Sequence, residues 1–143
     1  MGLATAYTSV GPVTSSGTIV WRRATRSGEP ASGLVARLVD EGMRMEDHPG
    51  VVFRDGPAGR RAGLSGGPDV WEIVVVLADY AVTDVSTAVA KTARWLHLTQ
   101  AQVRTAEGYY AAYPGEISDR IAENAEAVAD AQAQARARAR LSE

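Results

Sequence analysis

Apolar residues recur every three or four positions through much of this chain, and short runs rich in Gly, Pro and Ser separate these stretches. The clearest stripe follows Asp69, where positions i, i+3, i+4 and i+7 are all apolar: Val70, Ile73, Val74 and Leu77. This spacing places the four side chains on one face of a helix, whereas the buried residues of a strand alternate. The sequence therefore predicts a mostly α-helical fold.

The first 47 residues predict the order strand, helix, turn, helix. Residues 3–10 favour a short strand, and residues 13–26 favour a helix that the run Ser27-Gly28-Glu29-Pro30 ends. Ser32 occupies the expected N-cap position of a second helix, whose apolar stripe continues to about Met45.

Extended structure is predicted after His48-Pro49-Gly50, which is the expected domain boundary. Val51-Val52-Phe53 favours a short strand, and the Gly- and Pro-rich residues 54–67 suit a hairpin or an ordered loop. Asp69 then caps the helix described above.

Two closely spaced helices are predicted next. Residues 86–96 carry apolar side chains on one face, and His97-Leu98 forms the turn that follows. Thr99 at the N-cap and Gln102 three positions later match the capping box that starts another helix. So tight a turn between two helices predicts a helix-turn-helix.

The end of the chain predicts one further helix. Pro114-Gly115 is expected to interrupt the chain, and Ile117 begins a helix whose residues 122–139 are rich in alanine. Alanine favours helix but offers little apolar surface to bury, so this end is expected to project, to fray or to await a partner. Trp71 and Tyr110 lie at helical spacings among apolar residues and are predicted to pack in the core.

Composition limits the class of protein. The chain has 143 residues, 45% of them hydrophobic and 22% charged, which is normal for a folded domain or two very small ones. It contains no Cys, so we expect no disulfide or thiolate metal site and a reducing compartment. Residues 1–10 lack the features of a signal peptide, and no run reaches the roughly 20 apolar residues of a membrane span. We therefore expect a cytoplasmic protein without membrane association.

Charge is distributed unevenly around a net charge of −2. Residues 1–61 carry eight arginines against six acidic residues, and residues 62–135 carry four basic against ten acidic residues. Residues 136–143 carry three arginines against one glutamate. A basic front, an acidic middle and a basic tail indicate separate functions for separate segments.

Two stretches resemble bacterial regulatory families. Residues 5–45 resemble the ribbon-helix-helix (CopG-like) regulators, above all over residues 26–42, RSGEPASGLVARLVDEG. The rest resembles a small helical domain of VapB-type antitoxins, whose partners are typically PIN-domain ribonuclease toxins. The motifs that carry this second resemblance are HPGVVFR at 48–54, GRRA at 59–62, PDVWE at 68–72 and the run 103–116.

The first resemblance implies a homodimer whose paired strands enter the major groove of DNA. The outward side chains that would read bases are Thr5, Tyr7 and Ser9. Ser32 would cap the second helix, whose backbone N–H groups would grip a phosphate. Further phosphate contacts would come from Arg22, Arg23 and Arg26. The predicted ribbon carries no long basic or amide side chain, so the alternative is a unit that only dimerises.

Two other groups of residues have competing interpretations. In the predicted helix-turn-helix the side chains that would face DNA are Gln100, Gln102 and Arg104. The acidic surroundings favour a purely structural role for the same helices. Arg60 and Arg61, on the Gly-rich loop, are predicted to contact DNA, to pair with acids, or to lie on a plain surface loop.

The C-terminal arginines alternate with alanine as Arg136, Arg138 and Arg140. One interpretation is a solvated helix end whose cations offset the helix dipole. The resemblance to antitoxins implies another, in which an arginine of this tail enters the carboxylate cluster of a toxin. The tail would then fold on its partner.

The sequence contains no motif typical of a catalytic, nucleotide-binding or metal-binding site. His48 and His97 are the only histidines, and two separated histidines without carboxylates nearby make a poor metal site. The sequence shows neither a nucleophile elbow nor a P-loop. We expect no enzymatic activity, no cofactor, no metal and no small-molecule substrate.

The sequence thus predicts a mostly α fold in three parts. Residues 1–47 form a ribbon-helix-helix-like dimerisation and DNA-binding unit, residues 48–116 a compact helical domain, and residues 117–143 a C-terminal helix and partner-binding tail. The function implied is an antitoxin that neutralises a PIN-domain ribonuclease toxin and represses its own operon by binding operator DNA. The alternatives are a stand-alone transcription regulator and a structural adaptor that does not bind DNA.

Overall fold

A computed structural model describes residues 16–140. Over that range the chain is mostly helical, with six α-helices and one two-stranded antiparallel sheet. Contacts divide it into two compact units between Met43 and Arg44. The predicted ribbon strand lies outside the described residues, as do its three proposed contact residues, Thr5, Tyr7 and Ser9.

The first unit contains the two helices that the sequence predicts there. Helix α1 spans Ser16–Ser27, and helix α2 spans Ala31–Asp47, with its last turn in the second unit. The Leu34 N–H donates to the Pro30 carbonyl at 3.0 Å, so the helical ladder already starts at Pro30. The expected N-cap position of Ser32 is therefore wrong, and Ser32 lies exposed in the first turn.

Helix α2 buries a charged residue and exposes most of its predicted apolar stripe. Arg37 donates to Glu29 at 2.8 Å and to Glu41 at 3.5 Å, and the side chain of Glu41 is only 9% exposed. Leu34 is buried. The other apolar residues of the predicted stripe are 38–62% exposed, namely Val35, Leu38, Val39 and Met43. Most of this stripe is therefore surface within the described chain.

The second unit begins with a short hairpin followed by four helices. Its elements are β1 Val51–Arg54, β2 Arg61–Leu64, α3 Val70–Thr83, α4 Val85–Leu96, α5 Gln100–Ala112 and α6 Pro114–Arg140. The strands pair antiparallel, with Val51 opposite Leu64 and Arg54 opposite Arg61. The predicted strand at 51–53 and the hairpin after it are thus confirmed.

Pro114 opens helix α6 instead of interrupting the chain. Proline is suited to the first position of a helix because the N–H that it lacks has no partner there and its φ is already helical. The predicted break at Pro114-Gly115 is therefore wrong, because these two residues begin a helix. The actual boundary is the single residue Tyr113, whose N–H donates to the Tyr109 carbonyl at 2.9 Å.

Helix α3 lies at the centre of the second unit. It contacts α4, α5, α6 and β2. Val70, Ile73 and Val74 are buried as the stripe predicts, and Leu77 packs partly buried against the same cluster. The core prediction for tyrosine was incomplete, because Tyr109 is fully buried while Trp71 and Tyr110 are partly buried against the core.

The Asp69 carboxylate ties the hairpin to the start of α3. It accepts from Arg54 of β1 at 3.0 Å and from Arg61 of β2, and its own side chain is 10% exposed. The Asp69 N–H donates to Glu72 at 2.8 Å, as in a capping box. One residue therefore starts the helix and neutralises two strand arginines.

A second polar network joins the end of α2 to α5 and α6. The Tyr109 hydroxyl donates to Glu116 at 3.0 Å and accepts from Arg44 at 3.1 Å. Arg44 also donates to Glu116 at 2.6 Å and lies over the ring of Tyr113, 4.2 Å from its centroid. Burial raises the pKa of Tyr109, and the Glu116 carboxylate raises it further.

Replacing Asp69 by asparagine should destabilise the fold by about 2 kcal/mol, because two arginines then lack their buried counter-charge. Asparagine is also a good N-cap residue, so the loss reports on the ion pairs. The matched control is Asp55→Asn, at a carboxylate that pairs with Arg60 but is 84% exposed. We expect this control to change stability by less than about 0.5 kcal/mol. Urea unfolding of both variants measures the difference, and equal effects would contradict the role of Asp69.

Tyr109→Phe should lower the free energy of unfolding by about 1–2 kcal/mol at neutral pH, because the variant lacks the buried hydroxyl and both of its hydrogen bonds. The raised pKa also predicts a pH effect. A group whose folded pKa is raised loses its stabilising contribution as pH rises past its unfolded value, which is about 10 for tyrosine. Wild-type stability should therefore fall above that pH, and less steeply in the variant. Tyr110→Phe is the control, and an identical alkaline slope in both variants would refute the assignment.

Candidate functional site

Helices α4 and α5 are joined by a three-residue turn, residues 97–99. The His97 N–H donates to the carbonyls of Ala93 and Arg94, which ends α4. His97 itself has φ 56° and ψ 40°, the left-handed conformation that glycine usually supplies at this position. The chain therefore reverses sharply between the two helices.

Thr99 and Gln102 form the predicted capping box at the start of α5. The Thr99 hydroxyl accepts from the Gln102 N–H at 3.1 Å, and the Gln102 side-chain oxygen accepts from the Thr99 N–H at 2.8 Å. Gln102 is partly buried and engaged in this box, whereas Gln100 and Arg104 are exposed. Of the three predicted DNA-facing residues, two thus lie on the open surface of α5.

The arginines and the lysine of residues 44–120 fall into two groups. Five arginines pair with carboxylates within the described chain, namely Arg44, Arg54, Arg60, Arg61 and Arg120. By contrast, Lys91, Arg94 and Arg104 take part in none of the ion pairs recorded among residues 16–140. These three cations of α4 and α5 therefore differ from the paired arginines in having no recorded ion-pair partner within residues 16–140.

Arg60 and Arg61 both pair with acids, which is one of the alternatives that the sequence leaves open. Arg61 pairs with Asp69, and Arg60 donates to Asp55 at 3.2 Å. A Cβ on Gly56 would fall on the Arg61 guanidinium, so glycine at that position makes room for the pair. Arg120 of α6 holds the loop from the other side by donating to the Ala58 carbonyl at 2.6 Å.

The three predicted phosphate-binding arginines of α1 lie together. Arg22, Arg23 and Arg26 are exposed and line a cleft of about 490 Å³ with Ile19 and Ser27. Residues 16–27 contain no acidic residue, so the charge of this helix is wholly positive. The first unit therefore presents a basic helix surface.

Helix α6 leaves the core after its second turn. Ile117 is buried and Ile121 is partly buried against the core, but every residue from Ala122 to Arg140 is exposed. The predicted toxin-binding arginines lie at the end of this segment, as Arg136, Arg138 and Arg140. Helix α6 thus stops contributing to the core at Ile121.

One cleft was missed in the sequence. Its five lining residues, here called the Trp95 cleft, are Tyr80, Lys91, Arg94, Trp95 and His97, around a volume of about 520 Å³. The sequence feature that could have revealed this cleft is Trp95, which follows Arg94 and lies outside the apolar stripe of α4. An aromatic residue outside the stripe of an amphipathic helix points away from the core.

Residues 16–140 contain neither a cluster of metal ligands nor a helix suited to cross a membrane. Among residues 16–140 no group of three or more His, Asp or Glu side chains is arranged to hold a metal ion. No helix in that range is both long enough and apolar enough to cross a membrane. Comparison with family models, with curated proteins and with solved structures gives no match for this chain.

Proposed function

We propose that this protein is a homodimeric DNA-binding antitoxin, in which α4 and α5 act as a helix-turn-helix and the end of α6 binds a toxin. The observation that carries the proposal is the exposed start of α5, where Gln100 and Arg104 lie on the surface and Arg104 is in none of the ion pairs recorded among residues 16–140. In the resemblance to VapB-type antitoxins, the toxin is a PIN-domain ribonuclease. Operator binding would repress the protein's own operon in the cytoplasm.

The start of α5 suits contact with base edges. Residues near the N-terminus of a recognition helix reach into the major groove. Gln100 and Arg104 are four positions apart and therefore share one helix face. A glutamine amide can form two hydrogen bonds with adenine, and an arginine guanidinium can form two with guanine. The capping box supports this face, because it fixes the first turn of α5.

Electrostatics support one orientation on DNA. Residues 62–135 are acidic overall, so most of the surface around α5 repels phosphates. Lys91 and Arg94 on α4 supply the exceptions, and their charges favour phosphates on either side of the groove that α5 enters. The basic face of α1 offers a second contact region in the first unit.

The end of α6 suits a protein partner. Residues 122–140 are all exposed, whereas most helical stability in proteins comes from the packing of an apolar face. Binding of a partner would stabilise this segment. Its C-terminal arginines match a carboxylate cluster such as a Mg²⁺-binding nuclease site offers, because guanidinium groups bind carboxylates through paired hydrogen bonds.

Arg104→Gln should weaken binding to the duplex upstream of the protein's own gene by about tenfold. The log–log slope of the salt dependence should stay nearly unchanged, because the proposed contact of Arg104 is with a base and not with a phosphate. The matched control is Glu107→Gln, also exposed on α5, which removes repulsion and should strengthen binding. Fluorescence anisotropy over a salt series measures both. Unchanged affinity in Arg104→Gln would contradict DNA recognition by α5.

Changing Arg136, Arg138 and Arg140 to glutamine should relieve inhibition of the small ribonuclease encoded beside this gene, without lowering the melting temperature of the core. The three side chains lie on the exposed end of α6, so the core does not depend on them. The corresponding triple lysine variant keeps the charge but not the planar donors, and should retain part of the inhibition. Full inhibition by the glutamine variant would dispose of the tail as a toxin contact.

The two alternatives give different results in these measurements. A stand-alone transcription regulator would bind the duplex with salt dependence but would have no effect on a neighbouring ribonuclease. A structural adaptor would show no salt-dependent binding of the duplex. The apparent mass of the protein in solution tests the dimer independently.

A further inference from the structure

We propose that the Trp95 cleft binds one nucleotide of a single-stranded nucleic acid, with the base on the indole and the phosphate between Lys91 and Arg94. This site goes beyond the proposed duplex contact, because a paired base cannot stack on a side chain without leaving the helix. The residues of this cleft also differ from Gln100 and Arg104, which form the proposed duplex contact.

Trp95 is exposed in a way that packing does not explain. Its side chain is 66% exposed, whereas Trp71 packs partly buried against the core. Tyr80 of α3 borders the same cleft, so aromatic side chains of two helices line it. Aromatic side chains bind single strands by stacking on bases, since every base has a flat π-face.

Two cations border the aromatic pair. Lys91 and Arg94 lie three positions apart on α4 and are in no ion pair recorded within residues 16–140. Asp84 is the acidic residue at the N-cap of α4. Its carboxylate accepts from the hydroxyls of Ser86 at 2.7 Å and Thr87 at 2.8 Å. These hydroxyls lower the pKa of Asp84, and Lys91 adds a smaller effect. Asp84 is thus engaged at the N-cap of α4, and the ammonium of Lys91 remains available to a phosphate.

His97 supplies an independent observation. It holds the left-handed conformation, which residues with a Cβ adopt less readily than glycine does. Glycine would satisfy the turn between α4 and α5 without that strain. A histidine there is explained if its exposed ring contributes to the cleft, and strained residues concentrate at binding sites.

The shape of the cleft favours a strand over a free nucleotide or an acidic peptide. Its volume of about 520 Å³ falls within the usual range of ligand sites. Because the cleft lies on the surface of α4, a chain can enter and leave on both sides. The combination of flat aromatic faces with two neighbouring cations matches a base and its phosphate, whereas an acidic peptide would engage only the cations.

The test uses the full-length protein and fluorescently labelled oligothymidylate and oligouridylate of roughly 20 nucleotides. Anisotropy is measured at about 50 and 200 mM salt. We expect both single strands to bind, and Trp95→Ala to weaken binding about tenfold. Trp95→Phe should keep part of the affinity. The double variant Lys91→Gln, Arg94→Gln should flatten the salt dependence by about 0.7 units, as loss of one phosphate contact on a single strand predicts.

Trp21→Ala is the matched control, since Trp21 is 69% exposed and lies on α1, outside the cleft. It should leave single-strand binding unchanged. Arg104→Gln should also leave it unchanged while weakening duplex binding, so failure of either site is recognised separately. Circular dichroism melts confirm that each variant is folded.

Three results would overturn the proposal. The first is no binding of either single strand at the lower salt concentration. The second is an equal effect of Trp95→Ala and Trp21→Ala. The third is a labelled oligoglutamate peptide that binds as tightly as the oligonucleotides and responds to the same cleft variants, which would assign the cleft to an acidic protein partner instead.

Discussion

The ion pairs of Asp69 are the constraint on which the second unit depends. The carboxylate is nearly buried and lies between an arginine from each strand, so the hairpin and the first turn of α3 are fixed relative to each other. Helix α3 in turn contacts β2 and the three helices that follow it. A charge placed at a helix N-terminus also interacts favourably with the helix dipole. The same residue therefore links strand geometry, helix initiation and the position of the core.

Ion pairing also distinguishes the cations that stabilise the second unit from those without a recorded ion-pair partner. Arg44, Arg54 and Arg61 are engaged with carboxylates inside the second unit, and their charges stabilise the fold. The cations of α4 and α5 have no such role, although they lie in the most acidic part of the sequence. A cation that is left exposed on an acidic surface concentrates the attraction for phosphates at one place. This contrast supports the proposals for α5 and for the Trp95 cleft.

Features encoded by neighbouring residues could be predicted well. The capping box of Thr99 and Gln102 fixed the start of α5, because both hydrogen bonds form within one turn. The stripe at 70–77 predicted the buried face of α3. The difference between Tyr109 and Tyr110 was not predictable in this way, since both fit a helical spacing. The partners of Tyr109, Arg44 and Glu116, come from other helices.

The sequence by itself determined the helical class, the hairpin, most helix boundaries and the two arginine groups of α1 and α6. These features depend on local spacing, capping and turn chemistry, which act over a few residues. Only the tertiary structure decided which arginines are neutralised, and that five residues from α3, α4 and the following turn border one cleft. Distances between residues far apart in the chain depend on how helices pack, and one sequence does not encode these distances in any local pattern.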